Sequence, residues 1–266
     1  MKFLSVFSRI VCLSACLLLS SCKKTEEVKL QVKIAATTIP HAEILSVVKE
    51  NLLKEDIDLD IIVVEDYTIP NRALADYEID ANFFQHQPFL EYEKKLRGYP
   101  IINFAQVHLE PMGLYSKKIE DLSQVSPDAR LAIPSDPTNQ ARALRFLETL
   151  GLIRLHSVST LASMKDVAEN MRNVVFVEME ASHLAGSLKD VEMAVITTNF
   201  ALQASLSPEV DALAIEDRRS EFVNILAIRQ GDENRAELLA LKRAINSDVV
   251  RDFIEESYEG AVIPAF

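Results

Sequence analysis

Glycine is scarce in this sequence, with six residues among 266, and that scarcity excludes two large classes of site. The six glycines are so placed that neither the G-x-G-x-x-G dinucleotide motif nor the G-x-x-x-x-G-K phosphate loop can be written. The G-x-S-x-G nucleophile elbow and the H-E-x-x-H zinc motif are also missing. Nucleotide binding through those loops is therefore excluded, and an enzyme would need a site of another kind.

Positive charge is also in short supply. The chain has 28 lysine and arginine residues against 40 aspartate and glutamate residues, for a formal net charge of −12. Such an excess of negative charge repels both phosphate backbones and anionic lipid headgroups. The sequence thus predicts no nucleic-acid partner, and any attachment to a membrane must come from a lipid.

The first residues have the pattern of an export signal. Lys2 and Arg9 precede the short apolar run 10–19, which ends in Leu19-Ser20-Ser21-Cys22. This order resembles the lipobox of bacterial lipoproteins, in which the cysteine receives a diacylglycerol. We therefore predict a signal peptide over residues 1–21 and a lipidated tether over 22–29. An ordinary signal peptide, or an uncleaved anchor with an incidental cysteine, is the alternative.

Cysteine occurs three times, always in this leader region. Cys12 and Cys16 would be removed with the signal peptide, and Cys22 would be acylated. The mature chain would then have no free thiol, which excludes disulfide scaffolds, thiolate zinc sites, iron–sulfur clusters and cysteine nucleophiles.

Strand and helix patterns alternate from Leu30 onward in two series. The first series predicts strands over 30–36, 58–65, 79–84 and 101–107, separated by helices over 42–54, 70–78 and 88–97. The second predicts strands over 130–134, 173–178 and 192–197, with helices over 137–150 and 181–189. A last strand over 221–229 leads into helices over 233–245 and 248–258. This alternation predicts a mostly parallel sheet with helices on both faces.

The restart of the pattern indicates an α/β protein of two lobes. We expect lobe 1 to comprise residues 30–110 plus 223–266 and lobe 2 to comprise 111–222, with two strand crossovers between them. A ligand in such a protein binds in the cleft at the ends of the strands. One continuous α/β domain is the alternative that periodicity leaves open.

Aromatic residues are concentrated in the segment Asp80–Phe89, where a predicted strand ends just before a helix that Pro88 begins. Phe83, Phe84 and Phe89 could form one wall of a pocket, with Tyr67 adding a ring that carries a hydroxyl. The alternative is that the three phenylalanines are ordinary core.

A second candidate segment begins at Asp136. The Asp136-Pro137 pair predicts a capped helix whose first backbone N–H groups point into the cleft, where an anion would be stabilised. Arg142, just over a turn later, could pair with a carboxylate, or it could lie on a solvated helix face.

Histidine offers one route to a metal site. His41, His86 and His108 each lie near the end of a predicted element of lobe 1 and could meet at the cleft to hold zinc or manganese. Capping or solvated histidines are the alternative, because three ligands from lobe 1 would still need carboxylates from the other lobe.

At these segments the chain resembles the methionine-binding lipoproteins of the NlpA type, the solute-binding components of ATP-driven methionine importers. The resemblance runs from the lipobox to the C-terminus. It depends on seven blocks in the family's order: Asp66-Tyr67-x-x-Pro70-Asn71, Asp80-Ala81-Asn82-x-Phe84-Gln85-His86-x-Pro88, Arg97-Gly98-Tyr99, Tyr115-Ser116-Lys117-Lys118, Asp136-Pro137-Thr138-Asn139, Gly151-Leu152-Ile153 and Val223-Asn224.

The resemblance implies the periplasmic-binding-protein fold, a two-lobed clamshell, and assigns ligand contacts by position. Tyr67, Phe84, His86 and Phe89 would surround the thioether, and Arg142 and Asn224 would hold the carboxylate and amine of the amino acid. Two positions depart from the family pattern. Thr197 stands where members often have Asn, and Phe89 stands where they often have Tyr, so Asn199 is expected to supply the missing amide.

The function implied is capture of L- or D-methionine outside the cytoplasm, at a cell envelope to which Cys22 anchors the protein. Delivery would be to an ABC importer permease whose ATPase is a separate chain. We expect a monomer that needs no cofactor and is not an enzyme. The alternatives are a binding lipoprotein for another amino acid, a methionyl peptide or a transition metal. An extracytoplasmic enzyme or a surface adhesin without transport also remains open.

Overall fold

The computed structural model describes residues 30–156, 161–218 and 221–266. The predicted signal peptide, Cys22 and the tether lie outside these residues. Within them, no helix combines the length and the apolar character needed to cross a membrane.

The described residues form strands and helices that alternate along most of the chain. The strands are β1 Leu30–Thr37, β2 Ile57–Val64, β3 Ala81–His86, β4 Ile101–Leu109, β5 Gly113–Tyr115, β6 Arg130–Pro134, β7 Ile153–Leu155, β8 Val167–Asn170, β9 Val175–Met179, β10 Met193–Ile196, β11 Ala212–Ile215, β12 Val223–Arg229 and β13 Ile263–Pro264. The helices are α1 Glu43–Leu52, α2 Ile69–Ala75, α3 Gln87–Arg97, α4 Pro137–Thr149, α5 Leu184–Ser187, α6 Thr198–Gln203, α7 Pro208–Asp211, α8 Ala236–Ile245 and α9 Asp248–Tyr258.

Lobe 1 is built on a six-stranded sheet in the order β13-β4-β12-β3-β1-β2. One face of the sheet packs against α1, α8 and α9, and the other packs against α2 and α3, so apolar cores lie on both sides. The two C-terminal helices therefore return to the first lobe, as the sequence predicts.

Lobe 2 is built on a five-stranded sheet in the order β11-β5-β10-β6-β9. Leucines of α4 cover one face, and residues of α5 and α6 cover the other. The two-lobed α/β architecture is thus confirmed, with one sheet and its helices in each lobe.

The two connections between the lobes run side by side. One leads from the end of β4 to β5, and the other leads from β11 to β12. Leu109 at the end of β4 pairs with Val223 at the start of β12. This arrangement brings residues 110–112 and the start of β12 to the same edge of the cleft.

Local sequence signals set several helix ends. The His86 ring accepts the Phe89 N–H at the start of α3, and Gly98 ends that helix in the left-handed region with φ 71°. The Asp136 carboxylate accepts the Asn139 N–H at the start of α4. The Asp136 carboxylate thus occupies the start of α4, where we expected an anionic ligand to bind.

The prediction of mostly parallel sheets is wrong. In lobe 1, β1 pairs in parallel with β2 and β3, but β12 runs antiparallel between β3 and β4. In lobe 2, β5 is antiparallel to both β10 and β11. The physical reason is the crossovers, since a strand that returns from the other lobe enters the sheet from the opposite end.

Candidate functional site

A cavity with an empty volume of about 360 Å³ lies between the two lobes. The ends of β3, β4, β6, β10 and β12 meet around it, as strand ends do in two-lobed α/β proteins. It is lined by His41, Tyr67, Phe84, Gln85, His86, Phe89, Glu110, Asn139, Arg142, Thr197, Asn199 and Asn224. The six residues that the resemblance implied as ligand contacts lie on this wall, as do Thr197 and Asn199. The other four lining residues had no predicted role in amino-acid binding.

Three aromatic rings form one end of the cavity. The ring centroids of Tyr67, Phe84 and Phe89 are 5.9 to 6.0 Å apart, and Phe84 and Phe89 are buried. Alternation along β3 places Phe84 on the cavity side and Phe83 in the core of lobe 1. Three rings whose edges and faces meet at one place suit an apolar, polarizable side chain such as a thioether.

His86 is held at both ring nitrogens. Its Nδ1 accepts the Phe89 N–H at 3.1 Å, and its Nε2–H donates to Asn139 Oδ1 in lobe 2 at 3.1 Å. Burial, together with the nearby Arg142 cation, lowers the pKa of His86 to about 3. The ring is therefore neutral and bridges the two lobes, and it can touch a ligand only through its carbon edge.

Lowering the pH is expected to destabilise the protein through His86. Native His86 stays unprotonated down to about pH 3, whereas the unfolded chain takes up this proton below its ordinary pKa of 6.5. Because the unfolded state then binds more protons, stability is lost as pH falls from 6.5 towards 3, by up to roughly 1.4 kcal/mol per pH unit. Urea unfolding of His86→Gln between pH 7 and pH 4 should show a shallower loss. The exposed His183→Gln is the matched control, and an unchanged slope in His86→Gln would contradict the assignment.

Arg142 is the positive charge of the site, and a partner that the sequence did not indicate holds it in place. Its Nε–H lies 3.1 Å from both carboxylate oxygens of Glu216, and its Nη2 donates to Glu216 and to the Glu110 carbonyl oxygen at 2.7 Å. The guanidinium also lies 4.4 Å from the centroid of the Phe222 ring. Among the described residues Nη1 has no hydrogen-bond partner, so that part of the fork is available to an anionic ligand.

Tyr67 and Asn199 connect the two lobes beside the aromatic end. The Tyr67 hydroxyl donates to Asn199 Oδ1 at 2.7 Å, and Thr197 Oγ1 lies 3.2 Å from the same hydroxyl. Burial raises the pKa of Tyr67, so the hydroxyl keeps its proton. The Asn199 Nδ2 amide is buried without a partner among the described residues, which leaves a donor for a ligand.

A buried carboxylate forms the inner end of the cavity. Glu110 Oε1 accepts from His108 Nε2 at 2.7 Å and lies 3.4 Å from His41 Nε2, while Oε2 accepts the Asn199 N–H at 2.9 Å. His41 Nε2 also lies 3.1 Å from Asn224 Oδ1. Burial raises the pKa of Glu110, and it lowers the pKa of His41 to about 4 and that of His108 to about 3. Both imidazoles are therefore neutral at pH 7.

Of the three histidines that could have met at the cleft, His86 instead caps the start of α3, which was the alternative interpretation. His41 and His108 do meet, with ring centroids 5.0 Å apart, but His86 is bonded to Asn139 instead. The carboxylate expected from the other lobe is supplied by Glu110, two residues after His108 on the same strand end. An H-x-E pair at the end of a strand, with a histidine after another strand, is the signal that could have identified this cluster.

Three buried amides lie behind the cavity wall. Asn71, Asn82 and Gln85 bond to one another, with Asn71 Oδ1 accepting from both of the other amides at 2.7 to 2.9 Å. This closed network satisfies the buried amides and fixes β3 against α2. The network explains how these three polar side chains, all of them in the sequence blocks that resemble the family, can be buried.

Known proteins resemble this chain along nearly its whole length. The sequence model of the NlpA lipoprotein family matches residues 32–266. The methionine-binding lipoprotein MetQ of Bacillus subtilis is 39% identical over 245 residues, which cover 90% of this chain and 89% of that protein. The D-methionine-binding lipoprotein MetQ of Yersinia pestis is 34% identical, with 99% of this chain and 98% of that protein covered. The solved structure of a nutrient binding protein from Burkholderia cenocepacia bound to methionine is 37% identical, with a TM-score of 0.86, and the match covers 88% of this chain and 100% of that one.

Proposed function

The chain belongs to the NlpA lipoprotein family, and from that premise we propose that it captures methionine outside the cytoplasm and delivers it to the permease of an ABC importer. The observation that carries the proposal is the division of the cavity into an aromatic end and a charged end. Methionine has the same division, with an apolar thioether at one end and a zwitterion at the other.

The charged end supplies partners for both charges of an amino acid. Arg142 keeps Nη1 for a carboxylate, and Asn199 Nδ2 can donate a second hydrogen bond. The ammonium needs an acceptor, which Asn224 Oδ1 provides at the inner end. In a closed, low-dielectric cavity these contacts gain strength because little water competes with them.

The aromatic end supports the choice of methionine. Tyr67, Phe84 and Phe89 surround an apolar space, and the His86 ring completes the wall through its carbon edge. Phe89 in place of the family's Tyr removes a hydroxyl from this end, which keeps it apolar. Thr197 lies within hydrogen-bond distance of the Tyr67 hydroxyl, and we propose that the unpartnered Asn199 amide replaces the amide that Thr197 lacks.

Capture requires the lobes to move. We assign residues 30–110 plus 223–266 to lobe 1 and 111–222 to lobe 2, with the paired ends of β4 and β12 as the place where they bend. Closure would bury the solute and form the contacts Tyr67–Asn199 and His86–Asn139 between the lobes. The closed form is then the one presented to the permease.

The proposal places the protein at the cell envelope. Removal of residues 1–21 and lipidation of Cys22 would anchor it, and a diacylglyceryl cysteine provides more than the single acyl chain that gives only marginal attachment. Its partners would be the permease, with an ATPase on a separate chain. We propose a monomer that binds and releases its solute without making or breaking bonds.

Thermal unfolding against a panel of ligands tests this function. The protein is unfolded and refolded to remove carried-over ligand, and its midpoint is then recorded with L-methionine, D-methionine, other amino acids and methionyl peptides. A ligand that binds only the folded state, present at 100 times its Kd, stabilises the protein by about 2.7 kcal/mol. We expect a methionine enantiomer to give the largest rise. A larger rise with another amino acid or with a peptide would overturn the choice of methionine.

A further inference from the structure

The cluster at the inner end of the cavity also has the composition of a metal site. His41, His108 and Glu110 each offer one ligand atom, and these three atoms lie within 4.8 Å of one another. All three side chains are buried, with exposed fractions of 1%, 0% and 5%. From these positions we propose that His41, His108 and Glu110 bind a divalent transition-metal ion, with zinc as the best match.

The distances are close to those that zinc requires. Zinc bonds to nitrogen and oxygen at about 2.0–2.1 Å, so two ligand atoms in a tetrahedral site lie roughly 3.3 Å apart. His41 Nε2 and Glu110 Oε1 are 3.4 Å apart, and His108 Nε2 is 2.7 Å from the same oxygen. Metal binding would also move the His108 proton from Nε2, where it is donated to Glu110, to Nδ1, and small movements of the side chains would then admit the ion. A water molecule would complete the coordination, as in other zinc sites with three protein ligands.

Neighbouring groups orient two of the ligands as metal sites require. Thr37 Oγ1 lies 2.7 Å from His41 Nδ1, so it can accept a hydrogen bond from Nδ1–H, which leaves the Nε2 lone pair for the ion. The Asn199 N–H holds Glu110 Oε2, which leaves Oε1 for the ion.

Charge and access also favour a cation. Glu110 would bind the ion in its deprotonated form and so supply one negative charge, and the nearby Arg142 guanidinium is already paired with Glu216. His41 and Glu110 line the cavity, so an ion would reach them through the cleft before the lobes close. His108 lies behind them and does not line the cavity, so it belongs to the metal cluster without being a wall of the solute site.

Cobalt titration tests the metal site without any amino acid. The protein is dialysed against a chelator, freed of the chelator and titrated with Co²⁺, whose visible bands become intense when nitrogen and oxygen ligands bind it in a four- or five-coordinate site. We expect saturation at one ion per chain and displacement of the bands by one equivalent of Zn²⁺. Zinc alone should also raise the thermal unfolding midpoint.

Variants decide whether the ion is at this cluster. His108→Asn and Glu110→Gln should each lose the cobalt bands, and the exposed His183→Ala should keep them. Glu110→Gln preserves side-chain shape, so it serves if His108→Asn does not fold. The absence of bands in the wild-type protein, or their persistence in both cluster variants, would overturn the proposal. Because the probe is the metal alone, either result leaves the proposal of methionine capture to its own test.

Discussion

Replacing Arg142 with alanine is expected to weaken methionine binding strongly. The guanidinium is buried and is the only positive charge among the residues that line the cavity described here. Truncating one partner of a buried, hydrogen-bonded charge pair costs about 2–5 kcal/mol, because the other charge stays buried without a partner. Since about 1.4 kcal/mol is a tenfold change, affinity should fall by roughly two to three orders of magnitude. Isothermal titration of refolded protein with methionine measures the loss.

Arg145 provides the matched control for this variant. It lies one turn further along α4, half-buried and outside the cavity, near Glu221. Arg145→Ala removes the same charge from the same helix, and a surface change of this kind is expected to alter binding by no more than about 0.5 kcal/mol. If Arg142→Ala binds methionine as tightly as Arg145→Ala does, the carboxylate contact is wrongly assigned.

A substitution of Glu216 tests the orientation of the Arg142 guanidinium separately from its charge. Glu216→Gln keeps the cation in the cavity but weakens the bonds that fix its Nε and Nη2. We expect a smaller loss of affinity than in Arg142→Ala, on the order of tenfold. A full loss in Glu216→Gln would show that the orientation of the guanidinium matters as much as its charge.

Sequence patterns identified elements whose ends are set by nearby residues. The strand over Arg130–Pro134 was predicted with its observed bounds, and α4 starts at the predicted residue because Asp136 and Pro137 act locally. The short strands β7, β8, β11 and β13 were not predicted. Each has two to four residues and is a strand only because it pairs with another segment. Such short segments show no alternation of apolar and polar residues from which a strand could be predicted.

Sheet direction and the partners of the site depend on the same distant contacts. Nothing in the pattern of β12 shows that it inserts between β3 and β4, and this insertion makes the sheet mixed. Glu216 follows β11 without any motif, yet it orients Arg142, which is 74 residues away. The aromatic end was predictable because Phe84 and Phe89 belong to one continuous block. At the charged end, Arg142, Asn199 and Asn224 were predicted, whereas Glu110 was missed because only the short His108-x-Glu110 pattern indicates it.

Alanine substitutions of the adjacent residues Phe83 and Phe84 should affect protein stability and methionine binding differently. Phe83 is fully buried in the core of lobe 1, with its ring centroid 4.6 Å from that of His41. Phe83→Ala removes a whole ring from a packed core, and such changes cost about 3–5 kcal/mol. Phe84 packs against Tyr67 and Phe89 on the cavity wall, where part of its surface already faces empty space. Phe84→Ala should therefore cost less stability but lower methionine affinity by about tenfold to a hundredfold.

Urea unfolding without ligand and titration with methionine, applied to both variants, test this contrast. The two residues are adjacent on β3, so each variant controls for the effect of the other on strand formation. Because successive side chains of a strand point to opposite faces, one ring serves the core and the next serves the ligand. Equal losses of stability in the two variants, with methionine affinity unchanged in Phe84→Ala, would mean that Phe84 is ordinary core, and the aromatic end would lose its role in recognising the thioether.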